Sequence, residues 1–159
     1  MRMRVLVAGF STRHVARSAS NAGHVVYAVD HFCDQDLSWY TREAIRFGDL
    51  AGILPAVEEM CRRHTIDLVV VTSGAESLGA DVPLCGTSAE KASEFLDKLK
   101  IQHFFESLDV PTPRLIQDGT YPAMVKPRTG AGGWRNQVVY SQKDLELWNE
   151  TFEHPPCIC

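Results

Sequence analysis

Positive charge is not in excess in this chain: 16 Lys and Arg stand against 20 Asp and Glu, giving a net charge of −4 and a pI near 5.8. The basic footprint that a nucleic-acid partner requires is therefore missing. No apolar run approaches the length of a membrane span. Met1-Arg2-Met3-Arg4 leads directly into a strand, so a signal peptide is not expected. Five cysteines, an odd number at irregular spacing, do not make a disulfide framework, so a reducing cytoplasm is the expected setting. Repeats and low-complexity stretches are absent. No base dyad, activated nucleophile or zinc ligand set supports a hydrolase. What remains is ordinary globular composition, 45% hydrophobic and 23% charged, in 159 residues: one to one-and-a-half domains with enough chain to bury a core.

The fold class that the pattern predicts is α/β. Arg4 to Gly9 is a continuous apolar run ending in glycine, the mark of a parallel strand buried on both faces. Ser11 or Thr12 can cap the helix that follows, with Val15, Ala16 and Ala19 at helical spacing and Gly23 stopping it. His24 to Val29 form a second strand with Asp30 at its carboxyl end. Asp30 stands where a ribose-binding acid would sit, yet the turn Gly9-Phe10-Ser11-Thr12-Arg13 lacks the second and third glycines of a dinucleotide fingerprint. A nicotinamide-type or small-ligand binding module is the alternative that this turn keeps open. Ser11, Thr12 and Arg13 at a helix N-terminus are candidate holders of a substrate carboxylate or phosphate. Asp30, His31, Cys33, Asp34 and Asp36 crowd together, but their spacing matches no standard metal site.

Leu50, Ile53, Leu54, Val57 and Met60 share a helical face, with Pro55 tolerable near the first turn. Thr65 to Thr72 supply a third buried strand, and Ser73-Gly74-Ala75-Glu76 follow at its carboxyl end, where open α/β sheets place ligands; Glu76 is a candidate there. Pro83 to Cys85 read as a short strand closing at Gly86. Thr87 or Ser88 caps a helix expected to face Ala89, Ala92, Phe95 and Leu96 inward. Asp97 caps a second helix with Lys98 in its first turn, packed through Ile101, Phe104, Phe105 and Leu108, until Val110-Pro111-Thr112-Pro113 ends it.

The run Pro122 to Tyr140 reads as a hairpin with an oversized tip. Ala123 to Val125 deliver Lys126; Pro127 closes the strand; Thr129 to Gly133 form a small-residue loop; Asn136 to Tyr140 return. Glycines let backbone N–H groups approach a phosphate, and a lysine just before them adds positive charge. Beyond it, Ser141 caps a helix with apolar Leu145, Leu147, Trp148 and Phe152, and Cys157-Ile158-Cys159 begin another strand.

Val125-Lys126-Pro127 followed by Gly130-Ala131-Gly132-Gly133 resembles the lysine strand and glycine-rich lid of the ATP-grasp superfamily, which includes biotin carboxylase, D-alanine–D-alanine ligase and carbamoyl-phosphate synthetase. Asp97-Lys98, a helix, then Val110-Pro111-Thr112-Pro113 is a second similar feature. The first thirty-six residues resemble ATP-dependent carboligases related to biotin carboxylase. The resemblance implies a Rossmann-like, parallel-sheet pre-ATP-grasp domain over 1–86, a helical linker over 87–121, and a partial α+β lid subdomain over 122–159. It implies ATP as cofactor, with Lys98 (Lys100 if the register shifts), Lys126, Arg128, Gly130, Ala131, Gly132 and Gly133 at the phosphates. Trp134 stands where the family more often carries a small or aliphatic residue. The adenine hinge and the magnesium ligands lie in segments that have no counterpart here, so no metal ligand and no catalytic residue is assigned. A complete enzyme of this kind would join a carboxylate to an amine, thiol or carbanion through an acyl phosphate; these residues alone are expected to be inactive. The expected partners are ATP and a carboxylate substrate, with a homodimer admitted and neither nucleic acid nor membrane involved.

Overall fold

The computed structural model describes residues 1–79, 83–116, 118–130, 133, 135–152 and 156–158, the last three by backbone alone. The chain divides into two compact units, 1–92 and 93–159.

The first unit is a five-stranded parallel sheet in the order β3-β2-β1-β4-β5. Its strands are β1 (Arg4–Gly9), β2 (Val25–Asp30), β3 (Glu43–Arg46), β4 (Leu68–Val71) and β5 (Leu84–Cys85). Helix α1 (Arg13–Asn21) joins β1 to β2, and α2 (Ile53–Arg63) joins β3 to β4. Alternation along β1 and β2 divides the core. Leu6, Ala8, Tyr27 and Val29 pack with Ile53, Ala56, Val57 and Met60 of α2, whereas Val5, Val7, Val26 and Ala28 pack with Ala16 of α1 and with Leu37. Burying each large aliphatic side chain stabilises by about 1.5–3 kcal/mol, so this two-sided sheet carries most of the unit's stability. The β1–β2 register sets Gly9 beside Asp30 at the carboxyl edge.

Three expectations for this unit need correction. Strand β3 was not foreseen, because Glu43-Ala-Ile-Arg46 is a short edge strand with half its positions in solvent. Leu50 and Leu54 are exposed, at 50% and 44%, because the buried stripe of α2 runs through Ala56 instead. Thr12 stands at the N-cap of α1 but makes no side-chain cap, since its hydroxyl is bonded elsewhere.

The division between units falls within α3 (Ala89–Leu96). Ser88 caps α3 through its Oγ, 3.5 Å from the Lys91 amide. None of α3 is buried and Phe95 is half exposed, contrary to the inward face expected. Helix α4 (Lys98–Ser107) likewise leaves Phe104, Phe105 and Leu108 exposed; its buried residue is Gln102, which donates to Glu106 Oε1 and to the Pro113 carbonyl. Helical spacing identifies a stripe, but whether a stripe is covered depends on what packs there.

In the second unit β6 (Ala123–Pro127) pairs antiparallel with β7 (Gln137–Val139) on one side and with β8 (Pro156–Ile158) on the other. Helix α5 (Gln142–Phe152) follows β7, its start held by Ser141 Oγ, which accepts from the Asp144 amide. Trp148, 2% exposed, packs on Ala123, Val125 and Val139, and its indole N–H donates to the Arg135 carbonyl at 2.9 Å. Leu147, expected among the apolar contacts, is 63% exposed. Cys159 lies outside the described residues.

Candidate functional site

The geometry of the second unit starts from strand alternation. Ala123, Val125 and Pro127 are buried, so Met124 and Lys126 belong to the opposite face of β6. Lys126 is half-buried. The helix that precedes it in the chain returns to the same end of this strand. The Lys98 amide donates to the Arg128 carbonyl at 2.8 Å. Lys98 Nζ donates to the Pro127 carbonyl at 3.0 Å and to the Gly130 carbonyl at 2.8 Å. Lys98, and not exposed Lys100, is therefore the lysine at the root of the loop; the Pro127 carbonyl that it bonds belongs to the residue after Lys126.

Asp97 organises this junction. Its Oδ1 accepts from the Leu99 and Lys100 amides at 2.9 and 3.3 Å, capping α4. Arg128 Nε donates to the same Oδ1 at 3.1 Å, and Arg128 Nη2 pairs with Oδ2. The guanidinium, helped by the two amides, holds the Asp97 carboxyl below its usual range. Sequence reading took Asp97 for a simple cap and sent Arg128 to phosphate; the paired charges at positions 97 and 128 were the signal that could have linked them.

Gly130 and Gly133 have φ of +114° and +71°. At Gly130 an added Cβ would meet nothing within 4 Å among the described residues, and the positive φ by itself calls for glycine. Arg135 places its guanidinium over the Phe152 ring, 5.2 Å from the centroid. Ala131, Gly132 and Trp134 lie outside the described residues. The described residues thus bring one ammonium group, that of Lys98, to the root of the glycine loop, at the strand residue next to Lys126. Magnesium finds no matching ligand set, because no group of three His, Cys, Asp or Glu side chains comes together among the described residues, and Asp97 is committed to Arg128 and two amides.

The carboxyl edge of the first unit is occupied by its own contacts. Asp30 is 2% exposed; its Oδ2 accepts from the Thr12 amide at 2.6 Å and from Thr12 Oγ1 at 2.8 Å, and its Oδ1 from the Phe32 and Cys33 amides at 2.8 and 2.7 Å. Such a carboxylate is a structural staple and offers nothing to a ribose. Thr12 is fully buried, its amide and hydroxyl both given to Asp30. Arg13 is exposed and pairs with Asp34 at 3.6 Å and Asp36 at 3.2 Å. The Ser11 carbonyl accepts from Thr72 Oγ1 at 3.5 Å, and Glu76 Oε2 accepts from the Gly74 amide at 2.7 Å. Sequence reading missed an aromatic group beside them. His31 lies between Phe10, Phe32 and Phe47 at centroid distances of 5.0, 4.9 and 5.6 Å, with Nδ1 3.2 Å from the Phe47 carbonyl.

The fold is that of the N-terminal portion of ATP-grasp enzymes. Three solved structures illustrate the likeness. N5-carboxyaminoimidazole synthetase from Staphylococcus aureus, complexed with ADP, matches with a TM-score of 0.66 at 17% identity, over 99% of this chain and 47% of that one. L-amino acid ligase from Bacillus licheniformis matches with 0.64 at 15% identity, over 99% and 44%. The biotin carboxylase domain of Hydrogenobacter thermophilus 2-oxoglutarate carboxylase, complexed with MgADP, ADP and bicarbonate, matches with 0.67 at 15% identity, over 99% and 44%. Among curated sequences, carbamoyl-phosphate synthase of Methanobrevibacter smithii is 28% identical over 102 residues, which is 57% of this chain and 28% of that protein. The chain thus spans less than half the length of the proteins it matches. No protein-family model matches it. No described helix is long and apolar enough to cross a membrane.

Proposed function

We propose that this chain supplies the phosphate-binding half of an ATP-grasp ligase or carboligase. Lys98 and Lys126 receive the ATP phosphates, and the loop Gly130 to Gly133 folds over them. The observation that supports this reading is the pair of bonds from Lys98 Nζ to the Pro127 and Gly130 carbonyls, at the loop that begins just after Lys126. An arriving phosphate offers Lys98 a charged acceptor in place of two neutral carbonyls, and hydrogen bonds to charged acceptors are roughly twice as strong. In the complete reaction the γ-phosphate passes to a substrate carboxylate to give an acyl phosphate, which an amine, thiol or carbanion attacks. Such transfer depends on positioning and on stabilising the developing charge, so this chain's own part is to bind and orient the phosphates. Within the reading, 1–86 is the pre-ATP-grasp domain, 87–121 a helical linker and 122–159 the partial lid subdomain. The carboxyl edge with Ser11, Arg13 and Glu76 faces the carboxylate substrate.

The test is titration of the isotope-labelled chain with ATP, followed by amide chemical shifts. Shifts are expected at Lys98, Lys126 and Gly130, with weak affinity that Lys126→Ala lowers by roughly tenfold or more, the value of one charged hydrogen bond. Equal affinity for parent and variant refutes the assignment. So does steady ATP hydrolysis by the isolated chain, since two lysines without a metal site do not stabilise phosphoryl transfer.

A further inference from the structure

Arg128 lies between Lys126 and the glycine loop, and its guanidinium is paired with Asp97. Both ends of its geometry grip the first turn of α4. Its carbonyl accepts from the Lys98 amide at 2.8 Å, and its guanidinium embraces Asp97 through Nε and Nη2. Asp97 Oδ1 in turn holds the Leu99 and Lys100 amides. The side chains of Asp97 and Arg128 are 16% and 34% exposed, so the pair is shielded from solvent more than a surface ion pair. A two-point guanidinium–carboxylate contact fixes orientation as well as distance, which a lysine ammonium cannot reproduce. The turn gripped in this way is the one that carries Lys98, whose Nζ reaches across to the Pro127 and Gly130 carbonyls.

We propose that Arg128 is a positioning residue and not a phosphate ligand: it clasps Asp97 so that Lys98 is held over the root of the glycine loop. The proposal rests on the nucleotide reading given above. It assigns the three cations of the site different work. Lys98 and Lys126 contact phosphate, and Arg128 sets the distance between the elements that bear them.

The experiment uses the labelled 159-residue chain and the variants Arg128→Ala, Arg128→Lys, Asp97→Asn and Arg128→Ala/Asp97→Asn. Asparagine caps a helix as well as aspartate does, so Asp97→Asn breaks the Nη2 half of the clasp and removes its charge while sparing the cap. The Trp148 indole resonance certifies that each variant retains its core. Amide exchange at Lys98 should quicken by roughly tenfold in each single variant and no further in the double variant. Arg128→Lys should fail to restore it. In ATP titrations Arg128→Ala, Asp97→Asn and the double variant should lose the same affinity within about twofold, because both substitutions break one contact. Unchanged Lys98 exchange in both single variants overturns the clasp, whatever nucleotides do. Additive affinity losses, or recovery of ATP affinity by Arg128→Lys, overturn it in favour of a direct phosphate contact. A parent chain without any ATP-dependent shift overturns the nucleotide reading and the positioning role together, and the exchange data then distinguish that outcome from failure of the clasp itself.

Discussion

Asp30→Asn is a direct measure of whether the carboxyl edge of the parallel sheet is a structural staple or a ligand site. The Asp30 carboxylate accepts four hydrogen bonds in a setting 2% exposed: two from Thr12 and one each from Phe32 and Cys33. An amide has one acceptor oxygen, so one side of it must present NH2 to two donors. Turned toward Phe32 and Cys33 it strands two backbone amides. Turned toward Thr12 it strands one, because the Thr12 hydroxyl can reverse and accept; this is the cheaper choice. The loss is then a charged hydrogen bond, about 1.5–3 kcal/mol, plus a buried amide without a partner, about 1–3 kcal/mol. A total of about 2.5–6 kcal/mol is a large part of the roughly 5–15 kcal/mol that typical domains have. Native-state amide exchange at Val5 to Ala8 and Val26 to Val29, in the two strands this residue joins, reads the change in the unit's opening free energy. Asp34→Asn is the control: its exposed carboxylate meets Arg13 at 3.6 Å and should cost less than about 1 kcal/mol. A loss below about 1 kcal/mol for Asp30→Asn would mean that the carboxylate is solvated in the folded chain. That would restore it as a ribose-binding acid, in which case NAD should raise the melting temperature of the parent.

Gly9→Ala should be among the most damaging small substitutions in the sheet: the new Cβ would lie 2.0 Å from Thr72 Oγ1 and 3.0 Å from the Ser73 carbonyl, at φ +153°. Overpacking and backbone strain each cost about 1–3 kcal/mol, and Thr72→Ala should restore only the part due to the hydroxyl, as urea melts will show. The carboxyls of Asp97 and Glu43 are both held below their usual range, by Arg128 and by His64 with Arg63 respectively. Depressed folded-state values add stability that is complete above the unfolded pKa near about 4 and is lost as pH falls through the lower folded values. Melting temperature should therefore drop below about pH 4, and Asp97→Asn should flatten part of that drop. Desolvation pushes the Cys33 and Cys61 thiols up, whereas Cys85 is exposed. Iodoacetamide at neutral pH should modify Cys85 before Cys33 and Cys61 by peptide mass mapping, and faster labelling of Cys33 than of Cys85 would count against the burial described.

Residue order alone settled the strands and helices whose signal is local. Continuous apolar runs marked β1, β2 and β4, capping residues marked the starts of α4 and α5, and a lysine strand followed by glycines marked the hairpin around β6. These were legible because each depends on backbone conformation or on side-chain alternation within a few residues. The edge strand β3 escaped notice because a strand exposed on its rim needs no apolar pattern. Exposed Phe104, Phe105 and Leu147 lie on helical stripes that look like core, and only the packing decides which stripe is covered. The same limit applies to charge. Opposite charges at 97 and 128 are visible in the order of residues, but that Arg128 turns to Asp97, or Asp30 to Thr12, is not, because those partners meet through the return of the chain. Tertiary structure alone decided them, since an ionic group finds its lowest free energy with whichever counter-charge or donor folding brings within about 3 Å.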